Sequence, residues 1–501
     1  MSSSTYTHHF DTPTYNASVT LDTGLFINGE FVQPVDGGTI DVINPTNGQV
    51  ICPVSIGNAK DIDIAVKAAR TAYKTSWGLK VPGAERGRML SKFADLVEEH
   101  SEELAALESL NVGKPFAPTK MFDIGSVIKT LRYYAGWADK IQGKTIETND
   151  AKFCYTRREP VGVVGQIVPW NGPLYLTAWK IGPALAAGNC IILKPSEFSP
   201  FTALRIAPLL NLAGFPPGVI NIVNGIGSQA GQAISEHPNI EMVSFTGSSL
   251  TGRKVLEAAA RSNLKQVTLE LGGKSPTIIY DDADLEQAVK WASFGVFFNM
   301  GQVCCAGSRI FVQEGIYDEF LQKFRDVAKS LKTGDLFDPT TNHGPQVSKI
   351  QFDRVMGYIA SGKEESAKLE TGGVQIGTEG YFIEPTIFSN AKPSMKIARE
   401  EIFGPVATVF KFVDEKEVID LANDTSYGLA CAVFTKDLKR ALNTAHGIEA
   451  GTSWVNMASF LDHALPFGGY KQSGLGRDVG EYALEQYTQL KSVHFNLGIE
   501  L

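Results

Sequence analysis

Residues 161–223, VGVVGQIVPWNGPLYLTAWKIGPALAAGNCIILKPSEFSPFTALRIAPLLNLAGFPPGVINIV, decide the fold. Three short apolar runs, 161–168, 189–193 and 219–223, alternate with helix-length stretches such as 202–213. Apolar runs this short predict strands buried on both faces, and helices between them predict a parallel sheet. The same pattern resumes after Thr268, with a strand over 276–280, a helix over 284–298, a strand over 309–313 and a helix over 317–331. Two parallel-sheet α/β units are therefore expected, joined near Gly272-Gly273. Upstream, 61–74 and 84–110 repeat with helical period, and Leu90, Phe93, Leu96, Val97, Leu104, Leu107 and Leu110 fall near one face of the second segment. Its run Glu98, Glu99, Glu102 and Glu103 reads as the solvated side. Residues 1–20, rich in Ser and Thr, read as a disordered tail. The segment 487–495 reads as a strand without a sequential partner, pairing outside its own unit.

Composition narrows the function. The chain has 501 residues, 43% hydrophobic, with 46 basic and 54 acidic side chains and a formal charge of −8. Length alone suggests about three domains at about 150 residues each. An acidic balance argues against a nucleic-acid partner, because neutralising phosphates needs a basic face. No apolar stretch approaches the 18 or so residues that span a bilayer. The N-terminus has neither a basic start nor an apolar core, so no secretory leader is expected. Six cysteines without regular spacing suggest neither a disulfide framework nor a zinc site, and the cytoplasm is the expected compartment.

Cys52, Cys154, Cys190 and Cys431 lie in strand-like runs and read as core fillers. Cys304 and Cys305 instead follow a long helix and precede Ala306-Gly307, at a helix–strand junction where reactive groups are displayed. A thiol of ordinary pKa, about 8.5, is only a few per cent ionised at pH 7, so catalysis there needs help. No histidine pattern selects a partner, which leaves a Cys–His hydrolase open without choosing its base. Glu270, between Leu269 and Leu271 and just before two glycines, is the better base: desolvation would raise its pKa toward the working pH. A salt-bridged Glu on a strand edge is the plainer reading of the same pattern. Two glycine-rich loops, 224–231 and 245–252, suggest phosphate contact, although the first has one residue too many for the usual dinucleotide fingerprint.

Read together, these segments resemble the NAD(P)-dependent aldehyde dehydrogenase superfamily from about Leu25 to Val493, closest to its tetrameric cytosolic and mitochondrial-type members. The carriers are Pro169-Trp170-Asn171, Lys194-Pro195-Ser196-Glu197, Phe245-Thr246-Gly247-Ser248, Leu269-Glu270-Leu271-Gly272-Gly273-Lys274, Gly301-Gln302-Val303-Cys304, Glu401-Ile402-Phe403-Gly404-Pro405 and Pro466-Phe467-Gly468-Gly469. The resemblance implies Cys304 as nucleophile, Glu270 as general base and Asn171 as an oxyanion donor, acting through a thiohemiacetal and a thioester. It implies a cofactor site at Ile167, Trp170, Lys194, Glu197, Gly227, Gly231, Phe245, Gly247, Ser248, Leu271, Glu401 and Phe403. The Glu197 carboxylate should hydrogen-bond a ribose hydroxyl and repel a 2′-phosphate, favouring NAD over NADP. No metal is implied.

An aldehyde tunnel is implied at Gly172, Tyr175, Leu176, Trp179, Phe298, Val303, Cys305, Leu461 and Phe467. Gly172 departs from the bulky aromatic usual at its position, so a wider tunnel open to aliphatic and aromatic aldehydes is expected. The alternatives are a specialist for amino- or semialdehydes and a cofactor-independent cysteine esterase. By the same resemblance the chain divides into a Rossmann-like NAD-binding domain (21–138 and 160–272), a catalytic domain (273–472) and a small β oligomerisation arm (139–159 and 473–501) that builds a homotetramer as a dimer of dimers.

Overall fold

The strands expected over 161–168, 189–193 and 219–223 form as Val163–Ile167, Cys190–Lys194 and Ile220–Ile222, in the middle of the largest sheet. A computed structural model describes residues 4–501. In this sheet five strands run parallel in the order Gln266–Glu270, Met242–Thr246, Val163–Ile167, Cys190–Lys194, Ile220–Ile222. Antiparallel edges close it, Leu25–Ile27 and Glu30–Val32 on one side and Gly474–Leu475 on the other. Every residue of the three inner strands is buried, as expected of a sheet covered on both faces. Strand order reverses between Val163–Ile167 and Met242–Thr246. Connections leave that pair toward opposite faces and open a crevice beyond its carboxyl ends, where doubly wound sheets bind ligands.

The second sheet has seven strands, in the order Lys368–Thr371, Thr386–Ser389, Val406–Phe412, Arg309–Gln313, Pro276–Ile279, Ala430–Phe434, Thr452–Val455. All its neighbours are parallel except the first pair. Residues 271–275 link the carboxyl end of Gln266–Glu270 to the start of Pro276–Ile279. A third sheet pairs Thr488–Asn496 with Lys152–Pro160, and the latter with Thr145–Asn149. The C-terminal strand thus pairs outside its own unit.

Three expectations change. Residues 4–20 are no disordered tail: Thr5–Asp11 and Asn16–Asp22 form an antiparallel hairpin, while residues 1–3 lie outside the described part. Phe10, Val19 and Leu21 are buried on one face, and Phe10 packs on Phe337 at 5.7 Å between ring centres. A period of two is present there, hidden in a Ser/Thr-rich composition. The single helix over 84–110 is two, Gly83–Glu99 and Ser101–Val112, broken at His100. The first buries one stripe, whereas the second is buried on all sides from Leu104 onward and must leave the first one's line. Finally, not all of 473–501 belongs to the arm. Gly474–Leu475 extends the first sheet, and the helix Gly480–Gln486 is held to that unit through Gly480, whose carbonyl accepts from Tyr134 Oη at 2.9 Å.

Candidate functional site

The carboxyl edge of the first sheet faces the amino edge of the second across a cavity of about 360 Å³. Four parallel strands end at its wall, in Ile167, Lys194, Thr246 and Glu270. Cys304 arrives from the other side, in the loop before Arg309–Gln313. The helix Leu285–Phe297 ends there, and Asn299, Met300 and Gly301 all take left-handed conformations, φ 49°, 56° and 71°. For Asn299 and Met300 this is strained backbone, which persists only where surrounding contacts enforce it. Those contacts are visible: Asn299 Nδ2 donates to the carbonyls of Asn171 (3.0 Å) and Gln302 (3.1 Å). Asn171 Nδ2 in turn donates to the Gln302 carbonyl at 3.0 Å. The amide of Asn171 is thereby fixed beside the Cys304 loop.

Glu270 is buried, its Oε1 has no protein partner, and it lines the same cavity as Cys304. Burial pushes Glu270 up to about 8, against a weaker opposing effect of the nearby Cys304 thiol. The Cys304 thiol is pushed well above its usual value, first by its hydrogen bond with Cys305, then by burial and by the Glu270 charge. A buried Lys180–Asp478 pair, 3.1 Å apart, lies close enough to act on Glu270 from both sides. The two glycines after Glu270 are needed for close approach. A Cβ on Gly272 would sit 2.2 Å from Glu401 Oε2, and one on Gly273 2.6 Å from the Cys304 carbonyl. Glu401 Oε1 accepts from the Gly273 N–H at 3.2 Å, and burial raises its carboxyl to about 7.

Along the crevice, Lys194 Nζ lies 3.3 Å from Glu197 Oε2, and burial lowers the Lys194 pKa. Ser248 caps the helix Ser249–Arg261, its hydroxyl accepting from the Thr251 N–H at 3.3 Å. Trp170 meets Phe403 edge-to-face at 5.2 Å. Phe403 is itself left-handed (φ 57°), its carbonyl held by Gln351 Nε2 at 2.7 Å. Of the twelve expected cofactor positions, ten line this cavity; Gly231 and Leu271 are buried behind it. Sequence reading missed Ser196, Thr246, Thr251, Gln351 and Arg354, which also line it. Ser196 and Thr246 lie inside quoted motifs. Gln351 and Arg354 sit on the helix Lys349–Glu364, outside every quoted motif.

The expected tunnel residues Leu176, Trp179, Cys305 and Phe467 share the second unit's apolar core, with Tyr175, Val303, Cys304 and Leu461 packed against it. Phe298 differs. It packs on Phe294 (4.9 Å) and Phe122 (5.6 Å) and faces a separate cavity of about 340 Å³. The wider tunnel expected at Gly172 is not there. A Cβ on Gly172 would lie 2.0 Å from Tyr175 Cε1 and 2.2 Å from its Cζ, so the Tyr175 ring fills the space that the glycine leaves.

Comparison with known proteins agrees with this geometry. The aldehyde dehydrogenase family model matches residues 31–493. The chain belongs to the aldehyde dehydrogenase family. It is 59% identical over 494 residues to an aldehyde dehydrogenase of Agaricus bisporus, covering 99% of each chain. It is 52% identical to a mitochondrial aldehyde dehydrogenase of Mesocricetus auratus, covering 94% of each. The solved NAD+ complex of a Bacillus cereus aldehyde dehydrogenase superposes with a TM-score of 0.94 at 47% identity, covering 95% of this chain and 97% of that one. This enzyme is an oxidoreductase that oxidises aldehydes with NAD as cofactor. The crevice suits a dinucleotide: it offers a lysine–carboxylate pair, a capped helix N-terminus and the buried, unpartnered Thr246 hydroxyl. Among the described residues of this dehydrogenase, no cluster of His, Cys, Asp or Glu could hold a metal ion, and no helix is long and apolar enough to cross a membrane.

Proposed function

We propose that this aldehyde dehydrogenase works through Cys304 as nucleophile, Glu270 as general base and Asn171 as oxyanion donor. The supporting observation is that buried Glu270 and Cys304 line one cavity and act on each other's titration, although Glu270 ends a strand of the first sheet and Cys304 precedes a strand of the second. Glu270 takes the thiol proton, and the sulfur adds to the aldehyde carbon. The new alkoxide needs preorganised donors; the Asn171 amide and the Cys304 backbone N–H supply them, each worth about 10²–10³ in rate. When bound, NAD accepts the hydride that the substrate carbon gives up. The acyl group stays on Cys304 as a thioester; Glu270 passes the thiol proton to solvent and, ionised again, deprotonates the water that releases the acid and frees the Cys304 thiolate.

Lys194 and Glu197 hold the adenosine ribose, Ser248 the pyrophosphate, and Glu401 and Phe403 the nicotinamide end. Glu197 makes NAD the preferred cofactor over NADP. The substrates are aliphatic and aromatic aldehydes, a reading supported by the apolar cluster of Leu176, Trp179 and Phe467 against which Cys304 packs. The first unit is the cofactor domain and the second the catalytic domain. The enzyme acts in the cytoplasm as a homotetramer, supported by scattered unpaired cysteines and by apolar side chains exposed on the arm.

Cys304→Ala tests the chemistry. Its NADH formation from propanal should fall by at least about 10³, as for loss of a covalent nucleophile. NAD binding, read by quenching of protein fluorescence, should be unchanged. Retention of the parental rate would rule out the thioester route.

A further inference from the structure

Tyr175 sits in the first turn of the helix Pro173–Ala187. Its ring stacks edge-on against Trp179 at 5.6 Å, and Lys114 Nζ stands 5.5 Å from its centre. This fixes the ring and aims its hydroxyl end at residue 172. A Cβ on Gly172 would lie 2.5 Å from the Tyr175 oxygen. Residue 172 adjoins Asn171, whose amide is tied to the Cys304 loop, so the phenol ends beside the place where the aldehyde is attacked. Two facts then matter together. Residues 172 and 175 compete for one volume, and here a ring bearing a hydroxyl has won it. That hydroxyl has no hydrogen bond to any described protein atom, and the ring packs against the apolar cluster that holds Leu176, Trp179 and Phe467.

We propose that Tyr175 is a specificity-determining residue whose O–H donates to an oxygen that the aldehyde carries one or two carbons from its carbonyl. The inference rests on the aldehyde reading of the site. Burial, and then the charges of Asp123, Cys304, Cys305 and Glu270, hold the phenol protonated and hence a donor. A hydrocarbon aldehyde leaves this donor unsatisfied and stripped of water. An oxygenated aldehyde of equal size satisfies it, and an unmade hydrogen bond in a dry site counts against the poorer partner.

The test compares glycolaldehyde with propanal, which have nearly the same size. For Tyr175→Phe, kcat/KM should fall about tenfold further with glycolaldehyde than with propanal, the worth of one such hydrogen bond. An equal loss with both would mean that the hydroxyl acts on the carbonyl oxygen or merely supports the fold, and either outcome overturns the proposal. A second pair of variants checks the shared volume. Gly172→Phe alone should lose activity with both aldehydes. Gly172→Phe combined with Tyr175→Leu should recover propanal turnover while glycolaldehyde remains poor. Recovery of both would equally overturn it. If the unaltered enzyme oxidised neither compound, the aldehyde reading itself would fail, a result distinct from any of these.

Discussion

Glu270 shows how one side chain acquires its chemistry. Its position between two leucines suggests desolvation, and in the fold burial does push it up to about 8. Only the ionised carboxylate can accept a proton, and its fraction grows as pH rises through that value. The kcat/KM for propanal should therefore climb from pH 6 to pH 9, and Glu270→Gln should abolish that rise while lowering kcat by about 10²–10⁴. A flat profile in the unaltered enzyme would contradict this assignment. Stability carries the opposite sign. Between an unfolded value of about 4.3 and the folded value of about 8, the folded chain binds the extra proton, so stability falls as pH rises across that window. The Gln variant should lack that fall. The partner of Glu270 was less legible. Loop position singled out Cys304 and Cys305 as candidate thiols, but no local pattern paired Cys304 with Glu270, 34 residues earlier; only the ordered set of motifs did.

The N-terminal hairpin and the broken helix show where the reading of segments fails. Both residue patterns were present, but composition concealed the first and continuous helical period the second. What decides each is a partner distant in the chain. Phe10 packs against Tyr15 and Phe337, and the Thr14 hydroxyl donates to the Phe337 carbonyl at 2.8 Å. If this docking holds the hairpin, Phe10→Ala should cost about 3–5 kcal/mol, as for other buried phenylalanines, measured as a shift of the urea midpoint at constant m-value. A change below about 1 kcal/mol, on the scale of a surface substitution, would mean that the hairpin is only loosely docked. Parallel strands were far easier to read, because residues buried on both faces leave an uninterrupted apolar run.

The arm belongs to the molecule as a whole. Thr488–Asn496 and Thr145–Asn149 are its edge strands, and Ile146, Phe153, Leu490 and Phe495 are exposed on it, with Leu497 and Ile499 just beyond. Open strand edges and clustered apolar side chains at the surface are liabilities unless another subunit covers them. If the arm builds the proposed tetramer, removal of residues 488–501 should give smaller species in light scattering. An unchanged mass would exclude the arm as the assembly element.

The alternation of buried strands with helices, the class of fold and the residue types of the reactive centre are all set by short-range pattern, because periodicity and burial are carried by neighbours in the chain. Tertiary structure alone brings Glu270 and Cys304 to one cavity, docks the hairpin and seats the Tyr175 ring in the volume beside Gly172. Those outcomes depend on steric exclusion and desolvation between segments that meet only after folding, and no local pattern records which side chain takes a shared space.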